Sequence, residues 1–209
     1  MLFSAFGSQG WWPGETPFEV AVGAILTQNT SWANVARAIE NLKSADCLSA
    51  ERIDRLEREE LAALIRPAGY FNVKAKRLKN FVEWLCEHYG GDMANLEGLA
   101  TYRLREELLG VNGIGRETAD SILLYALGKE IFVVDAYTAR VAIRHGLIDS
   151  DADYEQLREL FESNLPADVQ LYNEFHALLV RVGNKFCKPR PKCESCPLAG
   201  LPHEIECPY

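Results

Sequence analysis

Four cysteines near the C-terminus have a spacing that could support metal chemistry in this 209-residue sequence. They are Cys187, Cys193, Cys196 and Cys207, in the pattern Cys-x5-Cys-x2-Cys-x10-Cys, with proline and glycine residues between them. In a cytosolic chain, cysteines clustered in this way favour a metal centre over disulfides. The spacing alone is compatible with either zinc or a [4Fe–4S] cluster held by four thiolates.

A second candidate for chemistry is the turn from Val111 to Gly115, between two segments of helical pattern. Gly113 and Gly115 permit positive φ angles and leave backbone N–H groups uncovered by side chains. The next helix begins near Arg116, so its first N–H groups and its positive dipole end face the same point. This geometry suits an anion such as a phosphodiester. An ordinary connector between two helices could have the same local sequence.

A third candidate is a single carboxylate, twenty residues beyond that turn. The apolar run from Ile131 to Val134 leads directly into Asp135, which opens another helical segment. The side chain could simply cap that helix, or it could be a buried acid that takes part in catalysis. The two roles are compatible, because a helix N-terminus also keeps a carboxylate ionised.

The elements that must position these residues are all predicted to be helices. The segment Thr16-Pro17-Phe18-Glu19 predicts a helix start with a capping box, and the apolar residues that follow indicate a buried helix that ends near Gln28. Further helices are predicted from Trp32, over 51–65, 74–89 and 101–109, from Asp135 to His145, and over 153–163 and 168–182. No β alternation is present, so the fold class is all-α.

Composition limits the choice of partners. No apolar run reaches 18 residues, and the N-terminus has no basic region followed by a long apolar stretch, so we expect a cytoplasmic protein with no membrane span. The formal net charge of −8 argues against binding to nucleic acid through bulk electrostatics. Local cations could still contact DNA, and Lys188, Arg190 and Lys192 lie inside the cysteine-rich segment.

Several motifs together resemble the helix–hairpin–helix DNA glycosylase superfamily, and endonuclease III is the branch that they match best. The segments VNGIGRETAD and VVDAY look like its hairpin and its aspartate segment, and LTQNT looks like the segment whose glutamine enters the duplex. The loop from Gly69 to Ala75 resembles the family pattern G-x-Y-N-x-K-A. The resemblance covers nearly the whole chain. It implies a two-lobed all-α fold, with a helical barrel at 18–127 and a discontinuous domain formed by 1–17 and 128–209.

The resemblance also implies roles for individual residues. Gln28 and Tyr70 would fill the gap left by a flipped nucleotide, and Asp135 would stabilise the sugar cation that forms as the base departs. The hairpin residues that would contact DNA are Asn112, Gly113, Gly115 and Arg116. Carbonyls of Leu109, Val111 and Ile114 match those that often bind a monovalent cation in this family.

The chain departs from the family pattern at two places. Bifunctional members carry a lysine nucleophile just before the threonine of the hairpin, but here Glu117 precedes Thr118. A carboxylate cannot form an imine, so we predict a monofunctional glycosylase that uses water. The family's [4Fe–4S] loop has six, two and five residues between its cysteines, and only the middle gap matches here. The resemblance still favours the iron cluster over zinc, with Cys207 as the least certain ligand.

The predicted substrate follows from the aromatic residues. Trp11, Trp12 and Pro13 match the arm of the 3-methyladenine glycosylase branch, and Trp32 matches its aromatic residue four positions after the glutamine. With Glu117, these residues are predicted to line the base pocket. Tryptophan faces attract a cationic ring with on the order of 0.5–2 kcal/mol. We therefore predict release of N3- or N7-alkylated purines from damaged duplex DNA.

Two alternatives remain open from the sequence alone. A uracil or thymine mismatch glycosylase would share the fold, although a neutral base would require hydrogen-bonding groups that the sequence does not supply clearly. A non-catalytic iron–sulfur DNA-binding module would keep the hairpin and the cysteines without the chemistry. For the enzyme, we expect a monomer that associates with the nucleoid.

Overall fold

A computed structural model of the chain describes residues 1–204, and these residues contain helices and no β-strand. The prediction of an all-α fold is therefore confirmed. The α-helices in chain order are α1 (Leu2–Phe6), α2 (Pro17–Leu26), α3 (Trp32–Ser44), α4 (Ala50–Arg55), α5 (Arg58–Leu64), α6 (Phe71–Tyr89), α7 (Thr101–Gly110), α8 (Arg116–Ser121), α9 (Ala136–Arg144), α10 (Tyr154–Asn164) and α11 (Val169–Lys185). A π-helical turn, Ile122–Ala126, follows α8 directly. No helix in the described part of the chain is both long enough and apolar enough to cross a membrane.

The chain forms two compact units. One is Trp12–Lys129, and the other joins Met1–Trp11 to Glu130–Tyr209. The sequence places the boundaries at 17/18 and 127/128, whereas the units divide at 11/12 and 129/130. Because of this difference, Trp12 and Pro13 lie in the larger unit, while Trp11 lies in the other.

Helix α2 forms the centre of the larger unit, and residues 19–26 are all buried. Thr16 caps the helix as predicted, because its hydroxyl accepts a hydrogen bond from the Glu19 amide at 3.1 Å. The reciprocal half of the predicted capping box differs. The Glu19 carboxylate accepts instead from the amide of Glu15, at 3.3 Å, and forms an ion pair with Lys43 at 3.0 Å.

Two predicted helix boundaries are wrong. The segment 51–65 forms two helices, because Leu56 adopts an extended conformation and Glu57 begins α5 with a capping box to Glu60. Helix α11 does not end before Gly183 but continues to Lys185. Glycine is required there for packing, since a Cβ atom on Gly183 would lie 2.5 Å from the side chain of Tyr137.

The smaller unit is built around the packing of α9 against α11. Phe132 lies on a buried segment before α9, and its ring stacks on Phe161 at 4.4 Å between centroids and meets Tyr172 edge-on at 5.5 Å. This aromatic core holds the buried run that leads into Asp135. The first residue of α9 is thereby fixed in position by packing on its N-terminal side.

Candidate active site

The hairpin joins α7 to α8, as predicted. Gly113 has a φ of +98°, a conformation that favours glycine. A Cβ atom at this position would lie 2.3 Å from Cγ of Arg77, so glycine also makes room for that side chain. Gly115 is the N-cap of α8 with φ −94° and ψ 178°, which any residue can adopt. Only one of the two glycines therefore uses the left-handed region.

Two contacts hold the hairpin in shape. The guanidinium of Arg105 on α7 donates to the buried Asp120 carboxylate on α8 through Nε at 2.7 Å and Nη2 at 3.2 Å. The Asn80 side-chain amide donates to the Asn112 carbonyl at 2.8 Å. Because these contacts connect both helices and the turn, the backbone of the hairpin is preorganised before any ligand binds.

Gln28 is half-buried beside the same hairpin. Its side-chain N–H group donates to the Thr118 hydroxyl at 2.9 Å and to the Gly113 carbonyl at 3.3 Å. Its side-chain oxygen accepts a hydrogen bond from Arg77. Both ends of the amide are therefore bonded inside this unit. To enter a duplex, Gln28 would have to exchange these bonds for contacts with DNA.

Tyr70 projects from the turn before α6, and its side chain is largely exposed. Its backbone is left-handed, with φ 45° and ψ 32°, which is unusual for a residue that is not glycine. The preceding Gly69 also has a positive φ, of 68°. An exposed aromatic side chain on a constrained turn is compatible with the predicted role of filling the gap left by a flipped nucleotide.

Trp12 and Trp32 belong to one aromatic cluster with a residue that the sequence interpretation missed. Tyr125 stacks on Trp12 at 4.8 Å with an angle of 10° between the rings, and Trp32 meets Trp12 edge-on at 5.3 Å. We call these three residues the aromatic cluster. Gly23 lies against it, since a Cβ atom there would be 3.4 Å from the Trp32 ring. A longer side chain at this position would press into the cluster.

The neighbouring Trp11 has a different environment, on the smaller unit. It meets the His176 ring edge-on, with centroids 6.2 Å apart. Trp12 has a φ of +65°, and this left-handed turn of the backbone directs the two adjacent side chains to different surroundings. Pro13 is exposed in the same segment. The predicted base-pocket residues Trp11 and Trp12 therefore do not share one cluster.

Asp135 is the N-cap of α9, as the sequence allows. Its Oδ1 accepts from the Thr138 amide at 2.7 Å and lies 3.8 Å from Nε2 of His176 on α11. Burial by itself would raise the pKa of Asp135, but His176 and the cap together hold the pKa below its ordinary value. The half-buried side chain is therefore an ionised carboxylate at neutral pH.

The lysine position of bifunctional relatives is occupied by Glu117, which is exposed in the first turn of α8. Lys129 is the nearest lysine that follows the hairpin in sequence, and its amine donates to the carbonyls of Glu97 and Leu99. These bonds engage the amine of Lys129 in a structural role. Neither the Glu117 carboxylate nor the Lys129 amine is therefore available as an amine nucleophile.

Three of the predicted metal ligands line one small pocket. Cys187 is buried there, Cys193 and Cys196 are half-buried, and Arg144 of α9 donates to the Cys187 sulfur at 3.4 Å. The Nε atom of Arg144 is buried and has no hydrogen-bond partner among residues 1–204. A buried guanidinium directed at sulfur suits an anionic thiolate centre. The chemistry of these residues therefore fits a cluster held by thiolates.

The complete ligand set cannot be assembled from the described residues. Cys207 lies in the segment 205–209, outside them. Within residues 1–204, no group of three His, Cys, Asp or Glu side chains is close enough to hold a metal ion. The pocket nevertheless has a firm connection to the candidate catalytic helix, because Arg140 donates to the Cys187 carbonyl and Arg144 to the Lys188 carbonyl.

A run of basic residues in α6, formed by Lys74, Lys76, Arg77 and Lys79, is mainly structural. Lys74 is buried and donates to the carbonyls of Leu26 and Ala68 at 2.8 and 2.7 Å, and burial lowers its pKa to about 8. Lys79 likewise donates to carbonyls near the end of α4. In contrast, Lys188, Arg190 and Lys192 of the cysteine loop are exposed. A basic run read from the sequence can thus consist largely of internal hydrogen-bond donors.

Comparison with known proteins now identifies the family. Residues 22–167 match the HhH-GPD superfamily of base excision DNA repair proteins. The chain belongs to this superfamily. A Methanocaldococcus jannaschii protein whose name assigns it to the DNA repair glycosylases is 52% identical over 95% of this chain and 90% of its own length.

Two solved structures are similar to the chain. The H. pylori 3-methyladenine DNA glycosylase bound to 1,N6-ethenoadenine is 32% identical, with a TM-score of 0.75 over 88% of this chain and 92% of that one. A non-covalent endonuclease III–DNA complex gives a TM-score of 0.83 at 23% identity, covering 98% and 91% of the two chains. The chain is thus a base excision repair DNA glycosylase with an endonuclease III-like fold.

Sequence interpretation missed three residues of this glycosylase that make well-defined contacts with predicted site residues, each within its own unit. They are Arg77, Tyr125 and His176. Tyr125 had a weak signal as a polar aromatic residue in an otherwise apolar segment, and His176 was a single histidine on an apolar helix. The π-helical turn that carries Tyr125 is a feature often found at functional sites, but no sequence pattern indicated it.

Proposed function

We propose that this glycosylase hydrolyses the N-glycosidic bond of N3- or N7-alkylated purines in duplex DNA, without lyase activity. The observation that carries the proposal is the aromatic cluster of Trp12, Trp32 and Tyr125. An alkylated purine is cationic, and the faces of electron-rich rings attract a cation. The 32% identity to a 3-methyladenine glycosylase supports the same substrate class.

A base bound here would need access to an aromatic face. The face of Trp12 that stacks on Tyr125, at 4.8 Å, is already covered. The substrate base would therefore use the other face of Trp12, or Tyr125 would move aside when the base enters. Both routes make Trp12 the residue whose removal affects base binding most.

Asp135 supplies the catalytic charge in this proposal. Departure of the base leaves positive charge on the sugar, and an ionised carboxylate beside it lowers the energy of that state. The same side chain can orient or deprotonate the attacking water. An alkylated purine is already a good leaving group, so little general acid catalysis is needed. The lowered pKa of Asp135 is compatible with a group that must remain charged.

Hydrolysis without a covalent intermediate follows from Glu117. In bifunctional members of the superfamily, this position is the lysine nucleophile. A carboxylate cannot form an imine with the sugar. The Lys129 amine, which bonds two carbonyls, offers no replacement. The expected products are a free base and an intact abasic strand.

We infer that the hairpin binds a DNA phosphate through the backbone N–H groups near Gly115 and Arg116. We also infer that Gln28 and Tyr70 stabilise the distorted duplex. The region around Gly115 is open, since nothing lies within 4 Å of a Cβ atom placed there. The exposed cations of the cysteine loop, Lys188 among them, would add phosphate contacts. A monovalent cation at the hairpin carbonyls remains a prediction.

A [4Fe–4S] cluster is proposed as the resident cofactor, held by Cys187, Cys193 and Cys196 with Cys207 as the fourth ligand. Arg144 supports this assignment, because its guanidinium contacts the Cys187 sulfur and keeps one buried N–H group without a partner among residues 1–204. When bound, the cluster would tie the cysteine loop together. The loop in turn holds α9 through Arg140 and Arg144.

The test is a release assay on a panel of duplexes that carry 3-methyladenine, 7-methylguanine, uracil or a thymine mismatch, with and without borohydride. We expect release of the methylated purines and no trapped adduct. Release of uracil or thymine alone would overturn the substrate class, and a trapped adduct would overturn the hydrolytic mechanism. A protein that binds duplex DNA but releases nothing would be a binding module.

The cofactor is tested separately by the colour and the metal content of the purified protein. A brown protein that contains iron would support the [4Fe–4S] cluster, and a colourless protein that contains zinc would refute it.

A further inference from the structure

We propose that His176 is a positioning residue that orients the Asp135 carboxylate for catalysis. The inference rests on the proposed function, because it assigns a partner to the catalytic group named there. It goes beyond that proposal by assigning a catalytic contribution to a buried histidine on α11, 41 positions later in the chain. Its experimental test is designed to separate a failure of the pairing from a failure of the proposed function.

The first step in the argument is the contact itself. Nε2 of His176 lies 3.8 Å from Oδ1 of Asp135, and the two side chains are 4% and 14% exposed. This distance is longer than a hydrogen bond. Catalytic hydrogen bonds in ligand-free proteins are often long and shorten when substrate binds. The pair is therefore poised to form a hydrogen bond without rearrangement of the backbone.

The second step concerns which oxygen of the Asp135 carboxylate His176 approaches. Oδ1 of Asp135 already accepts from the Thr138 amide at 2.7 Å, as the cap of α9. His176 approaches the same oxygen. If the His176 contact shortens to a hydrogen bond, Oδ1 would accept from both α9 and α11, which would fix the carboxylate plane and leave Oδ2 for the sugar cation or the attacking water.

The third step is the fixed orientation of the imidazole. Trp11 meets the His176 ring edge-on at 6.2 Å, and Phe132 does so at 6.4 Å. Trp11 follows a segment that is attached to α11, where the backbone amide of Gln9 donates to the Glu174 carboxylate at 2.8 Å. These contacts restrict rotation of the imidazole and keep Nε2 directed at Asp135. This also gives Trp11 a function apart from the aromatic cluster.

Apolar packing alone does not account for a histidine at this position. The residue is 3% exposed among apolar and aromatic neighbours, where leucine or phenylalanine would pack without the cost of desolvating two nitrogen atoms. A polar group kept in such a place usually satisfies another buried polar group. Here that group is the carboxylate of Asp135.

The experiment compares three substitutions at one position, with single-turnover release of 3-methyladenine as the readout. The amide nitrogen of glutamine can occupy the place of Nε2, whereas that of asparagine lies near Nδ1 and cannot reach Asp135. We expect His176→Leu and His176→Asn to slow release about 10- to 100-fold, the range for losing a hydrogen bond to a charged group. His176→Gln should stay within about fivefold of wild type. Binding of a duplex with an abasic-site analogue should be unchanged in all three.

The outcomes are separable. If His176→Leu releases base at the wild-type rate, or if all three variants lose activity equally, the positioning role is wrong. If the wild-type protein releases no base from any lesion, the proposed function fails and this inference fails with it. Melting temperatures identify any variant that is merely unfolded, and His176→Gln then decides the question. His88→Leu, at an exposed histidine of the other unit, is the matched control and should leave release unchanged.

Discussion

Replacing Asp135 by asparagine removes one negative charge and little else. Asparagine is also a good N-cap, so the hydrogen bond that the Thr138 amide donates to this side chain, 2.7 Å long in the wild type, can remain. The substitution keeps the size of the side chain in a position that is 14% exposed. The fold should therefore persist, with a melting temperature within about 2 °C of wild type.

The expected loss of activity follows from Coulomb's law. A unit charge about 4 Å from the developing sugar cation contributes about 4 kcal/mol at an effective dielectric constant of 20, which suits a partly buried group. This energy corresponds to about a 1,000-fold slower release step. Affinity for a duplex with an abasic-site analogue should change little, because the lost interaction is made mainly in the transition state.

Single-turnover release from a 3-methyladenine duplex is the appropriate assay, since product dissociation does not limit it. Asp168→Asn is a matched control, because Asp168 caps α11 through the same kind of bond, to the Leu171 amide at 2.7 Å. That variant should release base at the wild-type rate. If Asp135→Asn stays within about tenfold of wild type, the carboxylate does not stabilise the sugar cation and the mechanism is wrong.

Three further predictions concern the larger unit. Lys74 has a pKa of about 8 in the folded state against 10.5 when unfolded, so the unfolded chain binds more protons between these values. The free energy of unfolding should therefore rise by about 2 kcal/mol as the pH is raised from about 7.5 to about 9.5. Urea denaturation of wild type and of Lys74→Met across this pH range measures the difference. Asp120→Asn should lower the free energy of unfolding by about 3–5 kcal/mol, because it breaks a buried ion pair with Arg105. Glu117→Lys should produce an adduct that borohydride traps, because it supplies an amine at the position of the family nucleophile.

Each of these predictions has its own control or contrary result. A Lys74→Met variant that gains stability with pH as wild type does would mean that another group titrates. Arg103→Gln, at an ion pair whose arginine is 60% exposed, should cost less than about 1 kcal/mol. If Glu117→Lys gives no adduct while it still releases base, then the first turn of α8 does not face the sugar.

Much of the fold could be predicted, because helix signals are local. Thr16, Pro17 and the apolar residues after them sufficed to place α2, and the turn around Gly113 placed the hairpin. The errors came where a tertiary contact overrides local preference. Gly183 looks like a helix end, yet the helix continues, because only glycine admits the close approach of Tyr137.

The candidate site was predictable only for residues that belong to a motif. Gln28 was found from its segment, but its bonds to Arg77 and Gly113 join residues 49 and 85 positions away. Lys74 belongs to a run of basic residues in the sequence, yet its side chain is buried against two carbonyls. Composition does not report which way a side chain points, and that direction decides whether a cation meets DNA or the protein interior.

By itself, the sequence determined the all-helical fold, the hairpin, the cysteine spacing and the glutamate, rather than lysine, at position 117. These features depend on residue types at short separations in the chain. Only the tertiary structure decided that Tyr125 stacks on Trp12 and that His176 faces Asp135. Those pairs come from helices and turns packed against each other, and their geometry is set by side-chain direction and by the close contacts that small residues permit.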